Sequence, residues 1–262
     1  MYNLNPICGD PLKPAIVFIH GFSIGAMAFD EIFNDPPLVS EWNARFHSIS
    51  IVNYDKPTNA AAWVSQRLAE DFDAVVQSYN LIKPFVLGWS LGAAQIADIL
   101  SFHPPSYISG VIYDAGVPCL ASLPNTVSVA AFASMPGLNQ TTNVTQFQSG
   151  YIDFINLCHP ALDLDFYLGC LGDGMVQPRA IVDLSFSRTQ NSTGLLQAGT
   201  SGALPLLAIF GGDDQLVLKQ GVLDAIAGWQ KLTVVTLPDA EHFTWISRPV
   251  LFRATVLNWT GS

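Results

Sequence analysis

Short apolar runs separated by stretches of helical spacing recur along most of the chain. The runs at 15–19, 85–87 and 206–210 are continuous rather than alternating, and more mixed segments at 49–54, 108–113 and 232–237 also read as strands. Continuous runs of this length suit strands buried on both faces. After the 49–54 run, Val64, Leu68, Phe72, Val75, Val76 and Tyr79 recur at the spacing of one helix face. That stripe reads as core rather than as a cofactor box. The pattern at 93–100 is also helical, and residues 249–259 close the chain with another helix, opened by Pro249 at the position proline suits best. Strands alternating with helices predict an α/β fold, with a mainly parallel central sheet and helices on both faces.

From about Gly116 to Gly199 the alternation breaks. This stretch has no lysine or glutamate and carries Phe132, Phe147, Tyr151, Phe154, Phe166 and Tyr167 among many Ser, Thr and Asn residues. It predicts a helical unit, residues 116–199, inserted into a core made of residues 1–115 and 200–262. The plainer alternative is a stabilising insertion that packs its aromatics on the core.

The chemistry concentrates at the ends of the predicted strands. Gly88-Trp89-Ser90-Leu91-Gly92 stands between the apolar run at 84–87 and the helical pattern at 93–100. A strand that turns at once into a helix forces the central serine into a strained conformation and exposes its hydroxyl, and glycines two residues either side let neighbouring chain pass closely. A free seryl hydroxyl is a weak nucleophile, so this reading requires a general base and an acid that orients it. Gly211-Gly212-Asp213-Asp214 follows the run at 206–210, and Pro238-Asp239-Ala240-Glu241-His242-Phe243 follows that at 232–237. Ser90, Asp214 and His242 thus follow three of the predicted strands, the last two successive, in the order expected for a nucleophile, acid and base. Asp213 and, more weakly, Asp114 are rivals for the acid. Asp239 and Glu241 read as solvated loop charges, and His47, His103 and His159 as surface or insertion residues, with His159 a candidate to face the pocket. Trp89 is expected to pack beneath the turn and, with Phe243, to touch the substrate pocket.

These motifs, with His20-Gly21-Phe22-Ser23 after the run at 15–19, make the chain resemble the α/β-hydrolase superfamily over nearly its whole length. The wording Leu87-Gly88-Trp89-Ser90-Leu91-Gly92 is similar to small carboxylesterases of the pimeloyl-carrier-protein methyl esterase kind and to the non-haem perhydrolase group. The resemblance implies that the backbone N–H groups of Phe22 and Leu91 form an oxyanion hole, that His20 is a structural turn residue, and that residues 116–199 form a cap over the active site. Two departures are visible. Asp55-Lys56-Pro57-Thr58-Asn59 lacks the glycine-rich turn that relatives use there, and Ala93 replaces a third glycine after the elbow.

Composition narrows the partners. Half of the 262 residues are hydrophobic and only 12% are charged, so either the interior is large or part of the surface is apolar. A formal charge of −10 argues against nucleic acid and anionic membrane surfaces. No apolar run reaches the roughly 18 residues of a membrane span. Met1-Tyr2-Asn3-Leu4-Asn5 lacks a basic region followed by an apolar one, which points to an intracellular protein, or to a secreted one if the N-terminus has been trimmed. Four sequons, at Asn139, Asn143, Asn191 and Asn258, are compatible with the second. Cys8, Cys119, Cys158 and Cys170 show no metal or redox spacing and read as buried thiols, with a local Cys158–Cys170 bridge as the alternative in an exported protein. No metal is expected, because no pair of the five histidines stands at i, i+4 with an acidic partner, and the serine chemistry expected here needs no cofactor.

The expected function is hydrolysis of an ester, lactone or thioester of a medium-sized apolar substrate through an acyl-enzyme on Ser90. The same residues would serve a C–C hydrolase or a perhydrolase. A ligand receptor that keeps a slow triad is the non-enzymatic alternative.

Overall fold

The computed structural model describes residues 14–35, 46–49 and 63–261. Six strands form one sheet among these residues: β1 (Ile16–Ile19), β2 (Phe46–Ile49), β3 (Phe85–Trp89), β4 (Gly110–Asp114), β5 (Leu206–Gly211) and β6 (Leu232–Leu237). They are ordered β2-β1-β3-β4-β5-β6, and every ladder is parallel. Parallel neighbours require crossovers, and helices supply them. Five of the six expected strands fall where the apolar runs predicted. The second is a correction: it occupies Phe46–Ile49, ahead of the 49–54 run and overlapping it only at Ile49. Residues 50–62, including the unusual turn at 55–59, lie outside the described residues, as do Cys8 and the N-terminal residues on which the localisation reading rested.

Successive residues of a strand point to opposite faces, and the two faces have different partners. Ile16 and Phe18 of β1, with Leu87 and Ile112, face a cluster that includes Phe252 of the C-terminal helix and much of the 116–199 segment. Val17, Ile19, Val86 and Val111 face the other way, onto Phe72, Val75 and Val76 of helix α1 (Ser65–Ser78) and Ile96, Ala97 and Leu100 of helix α2 (Ala94–Leu100). The α1 stripe is buried as its spacing required, except at its ends: Val64 lies before the first turn and is exposed, and Tyr79 caps the helix and is half-buried.

Between β4 and β5 the chain runs through five longer helices: α3 (Val129–Leu138), α4 (Val144–Cys158), α5 (Leu164–Val176), α6 (Ala180–Ser187) and α7 (Thr193–Thr200). Helices α3 and α4 meet backbone to backbone, since a Cβ on Gly137 would stand 2.8 Å from the Gly150 Cα. A buried ion pair ties the end of the segment to the helix after Ser90: Arg188 Nη2 donates to Asp98 Oδ2 at 2.6 Å, Gln190 Nε2 donates to the same oxygen at 2.9 Å, and Ser65 Oγ donates to Asp98 Oδ1 at 2.6 Å. Tyr151 OH donates to the Ser23 carbonyl at 2.8 Å and ties α4 to the turn after β1. Many exposed large apolar side chains belong to this segment, among them Val129, Val144, Leu164, Leu168 and Val176, so the low charge content is partly a surface property. After β5, helix α8 (Lys219–Ala225) leads to β6, and helix α9 (Pro249–Thr260) ends the chain. Among the described residues no helix is long and apolar enough to cross a membrane.

Candidate active site

Strand β3 ends at Trp89 and the chain turns directly into a 310 turn at Ser90–Ala93. Ser90 sits at φ +53°, a conformation that costs a non-glycine residue free energy and persists only where the surroundings enforce it. The surroundings do so through backbone contact: a Cβ on Gly88 would lie 2.3 Å from the Ala93 Cα, and one on Gly92 would lie 2.4 Å from the carbonyl oxygens of Ile19 and His20. The Val117 N–H donates to the Ser90 carbonyl at 2.9 Å and fixes the far side.

The loops after β5 and β6 meet beside this turn. Gly211 makes their approach possible, because a Cβ there would stand 2.4 Å from the Ala240 and Glu241 carbonyl oxygens. Asp214 Oδ2 lies 2.9 Å from His242 Nδ1, with both side chains almost fully buried. Its Oδ1 accepts the Leu216 N–H at 2.8 Å and the Val217 N–H at 3.1 Å. A carboxylate held by two backbone donors on one oxygen has a fixed orientation, so the imidazole it accepts from is fixed too, with Nδ1 protonated and Nε2 free to take a proton. The backbone of His242 is held as well. The Trp89 indole N–H donates to its carbonyl at 3.0 Å, and its own N–H donates to the Cys158 carbonyl at 3.1 Å.

His20 is fully buried, and burial pushes its imidazole below the usual range, which keeps it neutral. Its Nδ1 lies 2.9 Å from the Gly21 carbonyl and donates to it. That carbonyl and the Phe22 N–H belong to one planar peptide unit and point in opposite directions, so His20 also sets the direction of the Phe22 N–H. Leu91 follows Ser90 in the 310 turn, where the first N–H groups have no acceptor within the turn.

A cavity of about 440 Å³ opens above Ser90. Phe22, Leu91, Leu216 and Val217 form its core side, while residues of the 116–199 segment, among them Phe132, Met135, Phe154, Val182 and Phe186, form the rest. Phe22 holds this roof through ring contacts with Phe186 at 4.9 Å and Phe154 at 6.0 Å between centroids. Asn139 and Asp183, hydrogen-bonded to each other at 2.7 Å, are polar groups of the lining.

Trp89 and Phe243 require a correction. Neither is among the residues lining this cavity; they stack on each other at 4.8 Å, fully buried with Phe29 and Trp245 under the turn. Trp89 is the last residue of β3 and Phe243 precedes the short helix Thr244–Ser247, and the two rings fill the core beneath the turn. Of the rival acids, Asp213 is exposed. Asp114 is fully buried, accepts from Thr244 Oγ1 at 2.7 Å, and has a second oxygen with no hydrogen-bond partner among the described residues. Burial, with a further contribution from the Asp214 charge, pushes the Asp114 carboxyl well above the usual range. Asp239 pairs with Arg248 on the surface, as a solvated charge should. Glu241 does not: its carboxylate lies 2.6 Å from Ser247 Oγ and 3.4 Å from His159 Nε2. His159 correspondingly faces the loop that carries His242. Cys119, Cys158 and Cys170 are free and buried, and burial pushes the Cys170 thiol up to about 12. Among the described residues no group of three His, Cys, Asp or Glu side chains stands close enough to hold a metal ion.

The sequence matches the model of the alpha/beta hydrolase family over residues 16–255. This chain belongs to that family. Similar solved structures include a protein of Burkholderia cenocepacia described as an aryl esterase, 22% identical, with a TM-score of 0.84 over 98% of this chain and 93% of that one. An esterase of Rhodococcus sp. ECU1013, 18% identical, has the same TM-score and the same coverage. At these identities the likeness is one of fold. Among curated proteins, ethanol acetyltransferase 2 of Hanseniaspora uvarum is 28% identical over 107 residues, which span 41% of this chain and 29% of that one.

Proposed function

We propose that this alpha/beta hydrolase cleaves esters of medium-sized apolar acyl groups through an acyl-enzyme on Ser90. The observation that carries the reading is the fixed pair Asp214 Oδ2 to His242 Nδ1, 2.9 Å apart, beside a serine strained at φ +53°. His242 Nε2 takes the Ser90 proton as Oγ attacks the carbonyl carbon, and Asp214 stabilises the imidazolium that results. The oxyanion is received by the Phe22 and Leu91 N–H groups, each worth roughly 3 to 4 kcal/mol in the transition state. His242 then gives its proton to the departing alkoxide. Water enters, His242 takes its proton as the water oxygen attacks the acyl carbon, and His242 returns that proton to Ser90 Oγ as the C–Oγ bond breaks and the acid leaves. Residues 116–199 act as a cap whose apolar roof excludes water from the acyl site and selects the acyl group.

A second acyl acceptor, an alcohol in place of water, is favoured by the likeness to an acetyltransferase and by the apolar lining of the cavity. The chemistry is unchanged except that the acceptor is R–OH and the product an ester.

The deciding experiment is fluorophosphonate labelling with peptide mapping, run beside turnover of p-nitrophenyl esters with and without added ethanol. Modification at Ser90 that disappears in His242→Ala, with many turnovers per protein, supports the hydrolase; ethyl ester in the products adds the transferase. A folded protein that stalls after one equivalent of ester overturns the reading in favour of a receptor that keeps a slow triad.

A further inference from the structure

We infer that His159 and Glu241 are positioning residues for the base, joining helix α4 to the loop that carries His242; this rests on the serine-hydrolase reading above. Helix α4 ends at Cys158. The last carbonyls of a helix have no acceptor role inside it, and the Cys158 carbonyl uses this freedom to accept the His242 N–H at 3.1 Å. The next residue grips the preceding position of the same loop. His159 Nδ1 accepts the Ala161 N–H at 3.2 Å, which leaves the imidazole proton on Nε2, and Nε2 faces Glu241 Oε2 at 3.4 Å. Ser247 Oγ lies 2.6 Å from that oxygen and accepts the Glu241 N–H at 3.2 Å, so the carboxylate is held from both sides. His159 is buried, and only about a quarter of the Glu241 side chain is exposed (24%), which limits screening of their contact.

Two adjacent residues at the end of α4, its last residue and its cap, therefore hold two adjacent residues of the catalytic loop. Without the His159–Glu241 contact, a single hydrogen bond to the Cys158 carbonyl would fix the loop on this side, opposite the Trp89 bond to the His242 carbonyl. One turn earlier on α4, Phe154 lines the cavity above Ser90, so the wall of the acyl site and the support of the base are one element. A base that drifts loses rate in proton transfer while the binding pocket keeps its shape. The signature is a fall in kcat at constant KM.

The test is steady-state hydrolysis of p-nitrophenyl butyrate, with the rate of fluorophosphonate labelling at Ser90, in His159→Leu, His159→Gln, Glu241→Leu and the double leucine variant. His159→Leu should lower kcat and labelling rate about tenfold, a fraction of the roughly hundredfold that a 1 Å misplacement can cost, with KM within about twofold. His159→Gln keeps a donor for Glu241 and should recover to within about threefold of wild type, and the double variant should lose no more than about what either leucine variant loses alone. If circular dichroism shows His159→Leu to be misfolded, Glu241→Leu cuts the same contact from the other side and gives the same readout. An active wild type beside a leucine variant of unchanged kcat overturns the inference alone, as does equal loss in leucine and glutamine variants. A wild type that neither labels nor turns over overturns the hydrolase reading and this inference with it.

Discussion

Around Ser90 the backbone has almost no latitude, whereas across the cavity from it the wall is made of side chains. At the sheet edge, Gly88, Gly92 and Gly211 each stand where a single added carbon would lie about 2.3 to 2.4 Å from a neighbouring backbone atom, and Asp214 is oriented by two N–H groups. In the 116–199 segment the cavity is bounded by Phe132, Met135, Phe154, Val182 and Phe186, any of which can change size without moving a peptide unit. Substitutions at the sheet edge should therefore abolish rate, and substitutions in the helices should redirect it.

The largest effect is expected at the proposed acid. Asp214→Asn keeps the shape of the loop but removes the charge that fixes the His242 tautomer, and kcat for an apolar p-nitrophenyl ester should fall about 10⁴-fold. A fall under tenfold would mean that the sheet edge is less committed than its geometry implies, and Asp114 would then be the acid to test. The anchor of the helices comes next. Asp98 is fully buried and depends on Arg188 for its countercharge, so Arg188→Met should lower unfolding free energy by about 3 kcal/mol, measured by urea denaturation. A loss below about 1 kcal/mol would show that Gln190 and Ser65 satisfy the carboxylate without the arginine. Smaller still is the effect of the roof. Phe186→Ala enlarges the cavity next to Phe22, and the ratio of kcat/KM for decanoyl over butyryl esters should rise roughly tenfold with little change in stability. A uniform loss across acyl lengths would place Phe186 outside the acyl site.

The same contrast separates what was legible in the sequence from what was not. The order of Ser90, Asp214 and His242 after three apolar runs was readable because a parallel sheet brings strand ends to one edge whatever the helices do. The support of those residues was not readable. Glu241 looked like a loop charge because nothing local predicts that a residue 82 positions earlier, His159, will face it. Trp89 and Phe243 looked like pocket residues because they adjoin the proposed catalytic residues in sequence, yet their rings stack on each other in the core beneath the turn. The second strand was displaced because its observed segment, Phe46-His47-Ser48-Ile49, has two polar residues and no turn signal to separate it from the stronger run that follows.

Asp114 offers the finest test of how tightly the sheet edge is set, because it lies at the end of β4 near Asp214 and makes no contact that the proposed chemistry uses. Burial raises its carboxyl well above 3.8, against the opposing hydrogen bond from Thr244, and the negative charge of Asp214 raises it further. The folded protein therefore holds a proton that the unfolded chain releases near 3.8. The stability from this group is fully present below that pH and is lost as pH rises through the raised value. Asp114→Asn keeps an acceptor for Thr244 and removes the titration. Its unfolding free energy should accordingly decline less between pH 4 and pH 9 than that of the wild type, with the gap widening towards alkaline pH. Parallel curves for the two proteins would mean that Asp114 is charged in the fold, and that the edge of the sheet tolerates two neighbouring carboxylates rather than one.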